Sequence, residues 1–167
     1  MIVQIPADLQ KLVIQGAKER NDRRTAEGNP VRQRDGTDPL DAHIFGDAGT
    51  MAVAVAYGLN PQQIWVPELR APDLLGPDGS TVEVKRVNQA HYRLALHTHR
   101  GNKCEDDFYF LVSPPPGVQP VLWCMNIRGW VTGAEFEEKG KFRNLREDDQ
   151  WTLDTQHLHP DRPGPWG

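Results

Sequence analysis

The sequence predicts an α/β protein in which helices flank a central mixed sheet of four or five strands. Helical periodicity dominates up to Tyr57, and short segments with apolar residues at alternate positions follow it. The chain has 167 residues, a length that suits one domain with its own core. We therefore expect a single domain over 1–167, with an N-terminal helical arm over about 1–40 and an irregular tail over about 150–167.

Composition and charge exclude several classes of protein. Apolar residues make up 38% of the chain and charged residues 25%, which is typical of a folded, soluble protein. The longest apolar stretch, 51–57, is far shorter than the roughly 20 residues of a membrane helix. The net charge of −4 gives no global positive field, so any nucleic-acid site must be local. Cys104 and Cys124 lie far apart and no apolar leader precedes them, which favours reduced thiols and a cytoplasmic protein.

The N-terminal region is predicted to be helical and then basic. Pro6 followed by Asp8 is a typical helix start, and apolar residues recur at helical spacing as far as Ala17. The stretch 18–35 is the most basic of the chain. Its arginines are Arg20, Arg23, Arg24, Arg32 and Arg34. Two interpretations stay open, a solvated helix end that runs into a loop or an arm that contacts phosphates.

A second helix is predicted over Asp47–Tyr57. It is apolar nearly all round, which is typical of a buried helix, and Gly58 ends it. Period-two segments follow: Glu68–Leu74, Thr81–Val87, Tyr92–His97, Phe108–Val112 and Val121–Val131. The turn residues 76–79 predict a hairpin between the first two segments. A short helix is predicted over Ala134–Lys139.

Two acids and a lysine lie on the two strands of that hairpin. Strand alternation puts Glu83 and Lys85 on one face, and the turn brings Asp73 beside them. Two carboxylates and the Val84 carbonyl are oxygen ligands that suit Mg²⁺, with Lys85 placed to orient the attacking water. The alternative is an exposed hairpin whose charges have no chemical role.

These residues form a recognisable motif. It resembles the core signature of the PD-(D/E)XK nuclease superfamily at Pro72, Asp73, Glu83, Val84 and Lys85. The order of a buried helix, a hairpin and later apolar strands is similar to the αβββαβ plan of its small members over roughly 40–140. The resemblance implies a restriction-endonuclease-like core, with Asp73 and Glu83 as metal ligands and Lys85 as the catalytic lysine.

The preceding helix departs from the family pattern. Many members carry a glutamate in a Gly-x-x-Gly-Glu-like stretch, whereas Thr50 stands at that point here. Asp47 lies one turn earlier and is either a substitute metal ligand or simply the helix N-cap. A site with fewer acids should bind metal less tightly, and the chain would then fit a catalytically silent member.

Other candidate residues have weaker patterns. Arg86, Gln89 and Tyr92 follow the motif and either contact phosphate and position water or serve in ordinary packing. Four histidines and a cysteine could be zinc ligands, namely His97, His99, Cys104, His157 and His159. They lack the paired spacing of structural zinc sites, so we expect the histidines to be ordinary surface residues. We expect Trp123, Trp130 and Trp151 to be core residues rather than base-stacking platforms.

The sequence therefore predicts a DNA-hydrolysing nuclease dependent on Mg²⁺ or Mn²⁺. Without an appended base-reading motif, selectivity for DNA structure or ends is expected rather than for a long sequence. Small phage- or mobile-element-encoded resolvase-like and exonuclease-like enzymes of bacterial hosts are the nearest comparison. The alternatives are an inactive nuclease fold that binds nucleic acid or protein, and an RNA-directed nuclease. The pattern leaves homo-oligomerisation open.

Overall fold

A mixed five-stranded sheet lies at the centre of this computed structural model, which describes residues 1–28, 38–61, 72–88, 94–97, 105–116, 122–145 and 148–167. Its strands are β1 (Ile2–Gln4), β2 (Leu74–Leu75), β3 (Thr81–Arg86), β5 (Phe108–Ser113) and β6 (Cys124–Thr132). They are arranged in the order β1-β6-β5-β3-β2, with β3 and β5 parallel and the other pairs antiparallel. The expected α/β protein with a mixed central sheet is confirmed.

A second, three-stranded sheet was not predicted. It consists of β4 (Leu94–His97), β7 (Lys141–Leu145) and β8 (Asp148–Leu153) in the antiparallel order β4-β8-β7. The expectation that Tyr92–His97 joins the central sheet is wrong, because Leu94 pairs with Leu153. The expectation of an irregular tail from about residue 150 is also wrong for β8, whose backbone is hydrogen-bonded between two neighbouring strands.

The N-terminal region contains a strand as well as a helix. Residues 2–4 form β1, where Val3 pairs with Met125, although a helical arm was predicted there. The helix α1 (Ala7–Ala26) begins after Pro6 as expected and runs on well beyond Ala17. It therefore carries three of the five arginines of the basic stretch. Arg32 and Arg34 lie outside the described residues.

The helix α2 (Pro39–Tyr57) begins earlier than predicted. Asp38 is its N-cap, with a side chain that accepts a hydrogen bond of 2.8 Å from the Leu40 N–H. The N-cap interpretation of Asp47 is therefore wrong. The predicted end is confirmed, since Gly58 adopts a left-handed conformation with φ of 66°. Neither α2 nor any other helix of the described ranges combines the length and apolarity that a membrane crossing requires.

The predicted hairpin is confirmed. The strands β2 and β3 are antiparallel, with Leu74 paired to Val82. In the turn between them the Gly79 N–H donates a hydrogen bond to the Gly76 carbonyl. The Glu68–Leu74 strand was predicted to be longer than β2, but residues 68–71 lie outside the described residues. The helix α3 (Gly133–Lys139) matches the predicted short helix and has a capping box between Thr132 and Glu135.

Apolar residues cover both faces of the central sheet. On one face, α2 and the α1 residues that pack on it meet a large cluster that includes Met51, Val82 and Phe110. On the other face, α3 and the three-stranded sheet meet a smaller cluster that includes Tyr109, Leu111 and Phe136. The central sheet is therefore a middle layer, and β2 forms one of its edges.

Candidate functional site

The short strand β2 brings Asp73 against β3. Leu74 pairs with Val82, and Asp73 directly precedes this paired segment. The Asp73 Oδ2 atom accepts a hydrogen bond of 2.8 Å from the Val84 N–H. Because both backbone groups of a strand residue point to the same side, the Val84 carbonyl faces the same side of β3 as its N–H. The β2 side of β3 therefore presents a carboxylate beside a backbone carbonyl.

Glu83 and Lys85 lie on the face of β3 that points away from α2. Val82 and Val84 are buried toward α2, and alternation turns the intervening side chains to the other face. Lys85 Nζ forms an ion pair with Glu83 Oε1. The two side chains remain 33% and 22% exposed, so both are accessible to a ligand.

Glu83 acts electrostatically on the carboxyl of Asp73. Burial, and then the charge of Glu83, raise the pKa of the Asp73 carboxyl to about 7. The Val84 N–H, Lys85 and Arg20 oppose this rise. An added cation would favour the ionised form of Asp73 and offset the repulsion from Glu83.

Asp47 lies in the middle of α2 and is 3% exposed. Its Oδ1 atom accepts a hydrogen bond of 2.9 Å from Arg20 Nη1 of α1. Its Oδ2 atom is buried and, within the described part of the chain, has no hydrogen-bond partner. Burial raises the pKa of Asp47 to about 6, although Arg20 opposes this. A buried carboxylate oxygen without a donor is a feature that a cation would satisfy.

Thr50 supplies no acid at the point where the family pattern has glutamate. It is buried, and its hydroxyl faces the Gly46 carbonyl of its own helix at 3.5 Å. The acid of α2 nearest to this position in the sequence is Asp47, one turn earlier. Its known partner is Arg20, whose charge also acts on Asp73.

Three residues near the site were missed by sequence reasoning: Arg20 as a partner of the acids, His43 and Asp106. His43 is buried one turn before Asp47, and burial, Arg20 and Arg24 lower its pKa to about 4. Asp106 precedes β5, and burial and then Glu83 raise its pKa to about 6. No pattern in the sequence links Arg20 on α1 to Asp47 on α2, because this contact arises from the packing of the two helices.

The donor chemistry fits Mg²⁺ or Mn²⁺. Both ions prefer oxygen ligands and use one or two carboxylates completed by water. Asp73, Glu83 and the Val84 carbonyl supply such ligands, whereas the predicted ligand Asp47 is paired with Arg20. No three side chains of His, Cys, Asp or Glu are grouped to hold a metal ion within the described ranges. A two-carboxylate site with a backbone oxygen is therefore the arrangement that these residues offer.

The predicted nucleic-acid contacts are dispersed. Arg23 is exposed on α1, whereas Arg24 is half-buried and acts on His43. Arg86 lies on the α2 side of the sheet, opposite Glu83 and Lys85, with its guanidinium 4.5 Å from the Phe45 ring centre. Burial lowers the pKa of Arg86 to about 10. Two further predicted contacts, Gln89 and Tyr92, lie outside the described residues.

The remaining aromatic and histidine candidates have packing partners. Trp123 and Trp130 pack against the larger apolar cluster and Trp151 against the smaller one. The His159 ring stacks on Trp130 at 4.4 Å, and its Nε2 atom contacts the Glu135 carboxylate at 2.8 Å. His99 and Cys104 lie outside the described residues. The tryptophan positions agree with the core role expected from the sequence.

Comparison with known proteins adds no family to this geometry. No protein-family model matches the chain, and no curated protein has a significantly similar sequence. A functional proposal for this chain must therefore rest on its own residues and their arrangement.

Proposed function

We propose that this protein is a metal-dependent nuclease that hydrolyses DNA phosphodiester bonds through a PD-(D/E)XK-type site. The observation that carries the proposal is the approach of Asp73 to β3, where it contacts Val84 and lies within electrostatic reach of Glu83 and Lys85. The buried helix α2 before the hairpin and the mixed sheet support the finer proposal of a restriction-endonuclease-like core.

The proposed metal ligands are Asp73, Glu83 and the Val84 carbonyl. A bound Mg²⁺ or Mn²⁺ would polarise the phosphoryl oxygen and stabilise the charge that develops during hydrolysis. The Val84 N–H orients the Asp73 carboxylate by donating to Oδ2. Glu83 holds the Lys85 ammonium, which is partly exposed and can orient an attacking water.

The proposed substrate is DNA recognised through structure or ends. The chain carries a net charge of −4, so its phosphate contacts must come from a local surface. Arg23 is exposed at the C-terminal end of α1 and Arg24 is partly so. This helix also supplies Arg20 to the site, which makes its basic end a reasonable approach for a phosphate backbone.

Cleavage assays test the proposed activity directly. Linear, nicked, branched and circular DNA are incubated with the purified chain in Mg²⁺, Mn²⁺ or EDTA. We expect metal-dependent cleavage that is abolished in Asp73→Asn and Glu83→Gln. Glu138→Gln, which changes an exposed acid on α3, is the matched control. Equal cleavage by wild type and Asp73→Asn would refute the assignment.

A second candidate is a nuclease fold that binds nucleic acid without cutting it. Two observations favour it, namely the missing acid at Thr50 and the engagement of Asp47 by Arg20. Such a protein would bind DNA with the same affinity before and after Asp73→Asn and would cleave none of the substrates. The assays above, with a parallel measurement of DNA affinity, separate the two functions.

A further inference from the structure

The side chain of Arg86 carries a positive charge on the face of the central sheet that packs against α2. Arg86 is the last residue of β3, and alternation places it on the same face as Val82 and Val84. Its Nε and Nη1 atoms are buried, and neither has a hydrogen-bond partner in the part of the chain that the structure describes. Two donors of one guanidinium are therefore unused.

Two contacts with α2 hold this side chain in place. The guanidinium carbon lies 4.5 Å from the centre of the Phe45 ring, which is a cation–π contact. One turn later, a Cβ atom added to Gly49 would lie only 3.1 Å from the Arg86 Cβ atom, so the side chain starts close against the helix. The ring attracts the charge but has no oxygen to accept a hydrogen bond. These contacts therefore position the guanidinium and leave its donors available to a ligand.

The charge of Arg86 has no ion-pair partner among the described residues. Burial lowers the pKa of Arg86 to about 10, and burial is the single cause of the shift. The side chain stays cationic at neutral pH, because this value is well above 7. A buried charge without a counter-charge is costly, and a bound anion would relieve that cost. Since the residue as a whole is partly exposed, its long side chain can turn its N–H groups toward an ion that arrives from solvent.

The charges on this face of the sheet favour a ligand with more than one negative charge. Burial, and then the charges of Arg20 and Arg24 of α1, lower the pKa of His43 on α2 to about 4. Arg20 acts in this way although it is paired with Asp47. Glu83, by contrast, lies on the opposite face of the sheet. A phosphate group fits this distribution better than a single carboxylate, and its oxygens match the donors of a guanidinium.

We infer that Arg86 binds a phosphate group in an anion site on the α2 face of the sheet. The site lies on the face of β3 opposite Glu83 and Lys85. It requires neither a metal nor hydrolysis, so it does not depend on the proposed nuclease activity. The phosphate belongs either to a nucleic-acid backbone or to a free phosphate ion, because both offer the same oxygens to the guanidinium.

Thermal unfolding of the full-length chain in EDTA tests the site. The two probes are inorganic phosphate and a thymidine oligonucleotide without terminal phosphates, at an ionic strength held constant with potassium chloride. We expect at least one probe to raise the melting temperature of wild type, because a ligand of the folded state stabilises it. A response to the oligonucleotide alone identifies a backbone phosphodiester as the ligand, and a response to inorganic phosphate alone identifies the free ion.

Arg86→Met should bind the effective probe about tenfold or more weakly, because a charge-assisted hydrogen bond is lost. Lys18→Met removes an exposed charge from α1 and should bind it within about twofold of wild type. Without a probe, the melting temperature of Arg86→Met should stay the same or rise, since an unpaired buried charge is removed. Equal binding by wild type and Arg86→Met would overturn the inference and make Arg86 a packing residue. So would the absence of any response of wild type to either probe.

A second measurement does not depend on the folding of a variant. The side-chain Nε–H resonance of Arg86, assigned by its absence in Arg86→Lys, is followed by NMR while wild type is titrated with the effective probe. We expect this resonance to move in proportion to the bound fraction. A resonance that stays fixed while the probe saturates the protein would place the anion elsewhere and contradict the inference.

Discussion

The carboxyl of Asp73 links the charge of the site to the stability of the fold. Its pKa is about 7 in the folded protein, against an ordinary value of 3.8. Between these values the folded chain keeps a proton that the unfolded chain has lost. Stability contributed by this group therefore falls as pH rises from about 4 to about 7, and the full penalty remains above pH 7.

Asp73→Asn should remove this pH-dependent penalty. The amide stays neutral, and its oxygen can still accept the hydrogen bond from Val84. In EDTA, the melting temperature of the variant relative to wild type should rise between pH 5 and pH 8. Calorimetry of both proteins at these two pH values measures the trend. Asp22→Asn, at an exposed acid of α1, should show no such trend. If Asp73→Asn were more destabilised relative to wild type at pH 8 than at pH 5, the raised pKa of Asp73 would be contradicted.

Lys85→Ala should separate chemistry from folding. The lysine side chain is one-third exposed and its ion pair with Glu83 is accessible to water, so the melting temperature should change little. Loss of a group that orients the attacking water should lower the cleavage rate about 10²–10⁴-fold. Initial rates on a linear duplex give the comparison, with Lys11→Ala on α1 as the control. A large fall in melting temperature would instead indicate a structural role for Lys85.

Sequence reasoning reached the residues of the hairpin because local rules determine them. Alternation along β3 and the turn at 76–79 are sufficient to bring Asp73 to Glu83 and Lys85. Arg20 and Asp106 come from α1 and from the approach to β5, and no short-range pattern links these segments to β3. Their roles follow from tertiary packing, which the sequence does not display.

At the scale of elements, helix ends differ in how clearly the sequence marks them. Gly58, which follows Tyr57, adopts a left-handed conformation, and its presence in the sequence correctly predicted the end of α2. Pro39 is compatible with both a break and a first helical residue, and the side chain of Asp38 decides for the helix. Because the sequence does not show that α2 already begins at Pro39, it also allows Asp47 as the N-cap.

The bulge between β5 and β6 requires a glycine. The register shifts between Leu111 and Val112, opposite Gly129, whose φ is 149°. A Cβ atom there would meet the His159 backbone oxygen at 2.3 Å. Gly129→Ala should therefore lower the free energy of unfolding by about 1–3 kcal/mol, measured by urea denaturation.

Gly46→Ala is the matched control for this substitution. Gly46 lies in α2, and an added Cβ would meet nothing within 4 Å. The alanine should raise the free energy of unfolding by about 0.5–1 kcal/mol through its helix propensity. If the two substitutions changed the free energy of unfolding equally, the close contact of the His159 backbone with Gly129 would not constrain this position.

At the scale of the whole molecule, the pairings that join distant segments escaped prediction. β1 has only three residues, too few for a period, and it pairs with β6 near the other end of the chain. The C-terminal residues lack periodicity, yet Trp166 packs against Tyr57 and Phe110 and donates a hydrogen bond to Ser80. Such contacts depend on which surfaces remain uncovered after the central sheet has formed.

The whole-chain charge of −4 does not favour binding to DNA, so affinity must come from a local basic surface. The C-terminal end of α1 presents Arg23 and, in part, Arg24 to solvent. Each phosphate contact on duplex DNA contributes about −0.9 to the slope of log affinity against log salt. Neutralising both arginines to glutamine should therefore reduce this slope by about one to two units and leave Mn²⁺ affinity unchanged. Fluorescence anisotropy over a salt series measures the slope, with Lys11→Gln plus Lys18→Gln as the control on earlier turns of the helix. An equal reduction in the control would place the DNA along the length of α1, and an unchanged slope in the arginine variant would show that this end of the helix is only solvated.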